Sequence, residues 1–239
     1  MKGLVIALQF LTRLPLPAVA VSGAQFAASM RWYPVVGAII GGLVAAAGWT
    51  GALIDPRLGA LAALVVWVGV SGALHLDGLG DIADAAGALH KDRARLHSVL
   101  ADPHVGSFAV TAIGLQLIAK LVLLDLVIAR GLWAGLALAP FAARIGPLVW
   151  TCWLEPLHEG LASRFRGAVR PIDLIGWAAL LLLAAWFVPA LLVTPLLLFG
   201  WGLWLARRLG GISGDGHGAG IEIVEAGLLA ALVIAAAQA

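Results

Sequence analysis

Along the 239 residues, polar positions come in short clusters separated by long apolar runs. A helix that crosses a bilayer needs roughly 20 consecutive apolar residues. The runs over 33–54, 58–75, 106–129, 132–153, 174–193 and 219–238 meet or approach that length. A shorter run, 194–206, is marked off by Pro195 and by Arg207–Arg208. Together, 174–206 reads as two short helices and not one broken one, which gives about seven spans. Residues 4–14 are too short to cross and are expected to lie in the interface or to re-enter. The pattern predicts an all-α, polytopic transmembrane helical bundle, with 1–239 as a single domain.

Composition strengthens this reading. Hydrophobic residues make up 62% of the chain and charged residues 12%, against about a quarter charged in soluble domains. Lipid must cover what polar surface cannot. The few basic residues fix an orientation. With the N-terminus cytoplasmic, Lys2, Arg13, Arg31, Lys91, Arg93, Arg95, Arg164, Arg166, Arg170, Arg207 and Arg208 all fall on the cytoplasmic side. Only Arg57 and Arg130 fall outside, while Lys120 and Arg144 lie within spans. This is a strong positive-inside bias, and it puts the C-terminus outside. It also explains the sequence pI near 9.1 without nucleic acid. The single cysteine, Cys152, excludes a disulfide framework within the chain. Lys2 and the run Leu4–Leu11 faintly resemble a leader, but Arg13, Pro15 and Pro17 follow in place of a small-residue cleavage site, so the segment is expected to be retained.

The same topology gathers the chemistry on the cytoplasmic face. In His75-Leu-Asp-Gly-Leu-Gly-Asp-Ile-Ala-Asp, the residues Asp77, Asp81 and Asp84 stand at i, i+4 and i+7. On a helix they share an arc of about 60°. Three like charges at the end of a span repel one another, and partial desolvation sharpens the repulsion. A hard divalent cation offsets both effects, and magnesium bridging a phosphate suits all-oxygen ligands. Gly78 and Gly80 leave room for a substrate to approach. The bland alternative is a solvated acidic helix end. Asp102, before Pro103, reads equally as a further ligand and as the N-cap of the following helix. Five glycines in 210–218 form a loop able to cradle phosphate at a helix start; its alternative is a plain turn. Glu222 and Glu225 enter the last span together and need a reason to be there. Lys120 and Arg144 are expected to pair with a carboxylate or a substrate phosphate. The six histidines show no zinc-like spacing.

Taken together, these motifs resemble the cobalamin synthase (adenosylcobinamide-GDP ribazoletransferase) family, in order over nearly the whole chain. The matching stretches are Phe10-Leu-Thr-Arg-Leu-Pro15, Pro34 and Gly37, the aspartate motif, Asp102 and Gly106, Ala119-Lys120, Ala143-Arg144, Gly210-Gly211, and Gly214-Asp215 with Glu222 and Glu225. Gly80, Ala85, Pro103 and His104 stand where the family more often has alanine, glycine, serine and arginine.

The resemblance implies a bacterial inner-membrane enzyme, multi-pass, with its site facing the cytoplasm. Its substrates would be adenosylcobinamide-GDP and α-ribazole or its 5′-phosphate, its cofactor Mg2+, its surroundings the lipid bilayer, and a homo-oligomer is compatible with it. Asp77, Asp81, Asp84, Asp102, Asp215 and Glu222 would hold the metal. Asp77, Asp81, Asp84 and Asp102 would carry the chemistry, with Asp84 or Asp102 as general base. Arg13, His75, Gly78, Lys120, Arg144, Gly211, Gly214 and Asp215 would contact substrate. Competing readings are a CDP-alcohol phosphotransferase, whose aspartate–glycine–arginine spacing is not found here, a prenyltransferase, which expects a second aspartate-rich motif, and a transporter, which expects internal repeats.

Overall fold

The structure is a computed structural model and describes residues 2–88 and 104–238. Asp102, His90, His97 and the basic residues Lys91, Arg93 and Arg95 lie outside the described residues. Within them the chain is helical, with one isolated parallel bridge, Pro156 to Ile212.

The short N-terminal helix α1 (Lys2–Leu11) is followed by α2 (Gly23–Ser29). A capping box starts α2: the Ser22 hydroxyl accepts from Gln25 N, and the Gln25 side chain accepts from Ser22 N. One 3-10 turn at Met30–Trp32 then carries the chain into α3 (Tyr33–Ala52), making a continuous apolar rod. Asp55 caps α4 (Pro56–Ser71) by accepting from Arg57 N at 2.8 Å. Helix α4 stops at Gly72, whose φ of 60° is open to glycine, and Ala73 follows at φ 58°. This double left-handed corner turns the chain by 83° into α5 (Leu74–Ala88), which carries the aspartates. The expected span 58–75 is therefore divided, and α5 is a separate helix.

The remaining elements are α6 (Ser107–Ala129), α7 (Trp133–Ala143), α8 (Gly146–Trp153), the short α9 (Leu161–Phe165), α10 (Pro171–Phe187), α11 (Thr194–Arg208) and α12 (Gly214–Ala236). The expected span 132–153 is interrupted at Arg144–Ile145, between Pro140 inside α7 and Pro147 at the start of α8. The region 174–206 does form two helices. They divide at Val188–Pro189, and Pro195 sits in the first turn of α11, where no helical N–H is lost.

Five stretches are long and apolar enough to cross a membrane, and α4 with α5 makes a sixth if the bent pair is one span. Helix α10, with 17 residues, is shorter; it spans about 25 Å against a hydrocarbon core of about 30 Å. Large apolar side chains face outward along these helices, among them Val65, Ile118, Leu182 and Trp186. An outward apolar surface of this extent is what a lipid-embedded bundle presents.

Two close helix approaches set the site. Helix α3 packs on α7 through Gly37 and Gly41, where an added Cβ would strike the backbone of Pro140 and Ala137. Helix α5 packs on α12 in the opposite chain direction. A Cβ at Gly78 would stand 3.0 Å from Asp215 Cα, and one at Gly218 would stand 3.3 Å from His75 Cα. The N-terminal segment is tied on by Arg31, which donates to Ala168 O at 2.7 Å and pairs with Asp173 at 3.2 Å.

Candidate functional site

Helix α12 is the axis of the site. It begins at Gly214, with the Ser213 hydroxyl accepting from Gly216 N at 3.0 Å, five residues before the run 219–238 that periodicity predicted. The glycine-rich segment is therefore only partly a loop. Gly210, at φ 91°, and Gly211 lead into a bridge in which Ile212 N donates to Glu155 O at 2.9 Å and Leu157 N donates to Ile212 O at 2.9 Å. A Cβ at Gly211 would collide with Glu155 O. The expected substrate contact at Gly211 is thus a backbone-to-backbone junction, and Gly214 is the first residue of the helix, against Leu161.

Residues 215, 218, 222 and 225 fall on one face of α12, and they divide the site into two zones. The deeper zone is a closed ion cluster. Lys120 Nζ lies 2.7 Å from Glu222 Oε2 and 2.6 Å from Glu225 Oε2. Arg144 Nη1 lies 2.7 Å from Glu225 Oε1 and donates to Pro140 O at 3.1 Å, so it serves the break in its own helix pair. Gln116, one turn before Lys120, donates to Glu222 Oε2 at 3.0 Å and to Glu222 O at 2.8 Å. Lys120 also stands 4.4 Å over the Trp67 ring. All of these side chains are buried. The expectation that Lys120 and Arg144 pair within the membrane is met by the two glutamates. The substrate contact expected of Lys120 and Arg144, and the metal ligation expected of Glu222, meet side chains already engaged with one another. Gln116 and Glu225 complete the cluster. Gln116 is legible afterwards as the i−4 neighbour of Lys120, because two polar residues four apart in an apolar run define a face.

The second zone holds the aspartates. Asp77, Asp84 and Asp215 each act on the charge of Asp81. Among the described residues, no lysine or arginine forms an ion pair with any of the four. Asp84 is used locally: its Oδ2 accepts from Gly106 N at 2.7 Å and its Oδ1 from Ala109 N at 3.0 Å. It caps α6 across 22 residues of sequence, a role that sequence reasoning offered to Asp102. The room left by Gly78 is filled by the Asp215 backbone. Gly78 thus acts by letting α5 and α12 meet. Arg13 lies over the corner instead of in the site: its N donates to Val70 O at 2.8 Å, and its side chain covers Gly72.

A cavity of about 270 Å3 opens beside the aspartates, and His75 in its wall touches Arg144 of the closed cluster at 3.4 Å. Its wall draws on the N-terminal motif (Phe10, Leu11), on α3 (Tyr33), on the aspartate motif (His75, Asp77) and on the start of α12 (Asp215, His217). Phe10, Tyr33 and Phe165 supply aromatic rings, with Phe10 stacked on Tyr33 at 6.2 Å and Tyr33 edge-on to Phe165 at 6.1 Å. Three atoms in this wall are buried with no hydrogen-bond partner among the described residues: Tyr33 Oη, His75 Nε2 and His217 Nδ1. Of the three residues, sequence reasoning had named only His75 as a site residue. Tyr33 is the sole tyrosine of the chain, and placed in an apolar span it was the available signal.

As a hard-cation site, the acidic zone fits by its chemistry: every donor is a carboxylate oxygen, Asp77, Asp84 and Asp215 each act on Asp81, and no lysine or arginine among the described residues pairs with them, although the His158 imidazole acts on Asp215 with opposite sign. Among those residues no three histidine, cysteine, aspartate or glutamate side chains converge into a complete ligand set. Magnesium ordinarily takes one or two carboxylates and completes its shell with water and substrate phosphate.

Fold and site together define a polytopic helical membrane protein with an acidic, aromatic-walled cavity where its N-terminal, central and C-terminal motifs meet. A family model described as cobalamin-5-phosphate synthase matches residues 3–233. Proteins named adenosylcobinamide-GDP ribazoletransferase are similar over almost their full length. That of Novosphingobium aromaticivorans is 67% identical, covering 98% of this chain and 97% of the relative. That of Laribacter hongkongensis is 51% identical with 98% of each covered, and that of Thiobacillus denitrificans is 44% identical over 100% and 98%. The chain belongs to the cobalamin-5-phosphate synthase family. No solved structure matches it.

Proposed function

We propose that this protein transfers the cobinamide phosphate of adenosylcobinamide-GDP to α-ribazole or its 5′-phosphate, at a site that opens to the cytoplasm from the bacterial inner membrane. The observation that carries the reading is the meeting of Phe10, His75, Asp77, Asp215 and His217 in one cavity, because these come from family motifs far apart in sequence. In the reaction, the ribose 3′-hydroxyl oxygen forms a bond to the phosphorus that joins cobinamide to GMP. The bond from that phosphorus to the GMP oxygen breaks, and GMP leaves. The hydroxyl proton passes to a carboxylate of the acidic face.

Two of the aspartates Asp77, Asp81 and Asp215 would hold magnesium, with water and substrate phosphate completing its shell. When bound there, the ion supplies positive charge to the diphosphate and its leaving oxygen. The protein supplies position. Helix α12 fixes Asp215, the α4–α5 corner fixes Asp77 and Asp81, and the apolar wall keeps bulk water from competing with the hydroxyl.

Purified protein in liposomes, given magnesium, adenosylcobinamide-GDP and α-ribazole phosphate, should release GMP and form the joined corrinoid, followed by chromatography. Folded protein that releases no GMP from this pair would overturn the reading.

A further inference from the structure

We propose that the 270 Å3 cavity is the seat of the acceptor's aromatic base, with the Tyr33 hydroxyl donating to its free ring nitrogen, and that the corrinoid and the guanine both stay outside. This rests on the reaction proposed above.

Size comes first. A cavity just below the usual range of about 300–1,000 Å3 for small-molecule sites admits one bicyclic ring and excludes a corrinoid. Polarity then separates the two nucleoside bases. Guanine carries donors and acceptors on several edges; His75, Asp77, His158, Asp215 and His217 in the wall would meet part of them, but the Phe10 and Phe165 rings beside Tyr33 offer none, so a guanine seated there leaves edges unpaired. The dimethylbenzimidazole of α-ribazole carries methyl groups and a single ring nitrogen with a lone pair, so apolar walls and one donor satisfy it.

That donor is present. Tyr33 is 3% exposed, its hydroxyl has no partner among the described residues, and its ring already sits among Phe10 and Phe165, where a flat base would stack. A second donor follows from a proton argument. Arg144 Nη2 stands 3.4 Å from His75 Nδ1, and a guanidinium only donates. Nδ1 therefore accepts, and the ring proton sits on Nε2, which also lacks a partner among the described residues. His75 and Asp77 both line the cavity, so this N–H is a second donor available to the acceptor, and we assign it to the ribose whose hydroxyl reacts. The buried ion cluster thereby acts on the site through one histidine tautomer.

The test varies each substrate in turn with the full-length protein in liposomes. Tyr33→Phe, which removes only the hydroxyl, should raise KM for α-ribazole roughly five- to tenfold and leave KM for adenosylcobinamide-GDP unchanged. With the wild-type protein, free 5,6-dimethylbenzimidazole should compete with α-ribazole and not with adenosylcobinamide-GDP, a result that needs no variant to fold. Competition against the donor, or a higher donor KM in Tyr33→Phe, would overturn the assignment in favour of guanine; no change in either KM would overturn it too. Equilibrium dialysis separates this inference from the reaction. Saturable α-ribazole binding displaced by 5,6-dimethylbenzimidazole, without GMP release in the full assay, keeps the cavity and removes the reaction. GMP release without such displacement keeps the reaction and removes the cavity.

Discussion

Two groups of carboxylates stand along α12 and its neighbours, and their surroundings are opposite. Glu222 and Glu225 are buried and matched by Lys120 and Arg144, with Gln116 satisfying a further oxygen. Asp77, Asp81 and Asp215 gather at the end of the same helix, with no lysine or arginine paired to them among the described residues. The difference separates charges that hold the fold from charges that, on the proposed function, are kept for a ligand. A buried, balanced cluster gives the helices a unique register and has nothing left for a ligand. Under the proposed function, the less balanced one at the polar end of a span is completed by a cation or a reacting group.

The largest effect should come from unbalancing the closed cluster. Glu225→Gln leaves Lys120 and Arg144 facing a single buried carboxylate, and should cost about 3–5 kcal/mol of stability, read as a fall in the melting temperature of detergent-solubilised protein. The same change at the acidic end should do the reverse. Asp77→Asn removes one of several like charges, so melting should hold or rise while GMP release falls by about 100-fold or more. A melting loss in Asp77→Asn equal to that in Glu225→Gln would erase the distinction between the zones. A finer comparison lies inside the cluster. Lys120→Met alone strands two glutamates on Arg144 and should cost about 3 kcal/mol, whereas Lys120→Met with Glu222→Leu leaves one balanced pair and should cost at least about 1 kcal/mol less. Equal losses in the single and double variants would show that charge balance is not what the cluster provides. The smallest effect belongs to the corner. Ala73 sits at φ 58°, and Ala73→Gly relieves that strain at some entropic cost, so stability should move by less than about 1 kcal/mol and activity should stay.

The spans and the acidic face were legible because each rests on a local rule. Apolar length marks a crossing helix, and aspartates at i, i+4 and i+7 share a face wherever the helix points. Arg144 and Lys120 were legible as members of pairs, since a charge in lipid needs a partner. Their partners were harder to choose, because a glutamate and a phosphate answer the same electrostatic need, and only the packing of α6, α7 and α12 selects Glu222 and Glu225. Asp84 was missed as a cap because it works across 22 residues of chain, while capping rules look three residues ahead. Tyr33 and His217 were missed for the same reason. Neither belongs to a spacing pattern, and they become a site only when α3 and α12 meet around a cavity.

One continuous helix carries Asp215 at its mouth and Glu225 in its buried interior, so α12 behaves as a ruler between reaction site and anchor. A residue inserted or deleted between 215 and 222 would shift one end by about 1.5 Å and turn it by about 100° against the other. Neither zone can absorb that rotation: the glutamates are locked to two cations, and Asp215 is pressed against Gly78. Over these residues the gene is held to its length as well as to its buried letters, and a single in-frame codon lost there should be as damaging as losing the aspartate itself.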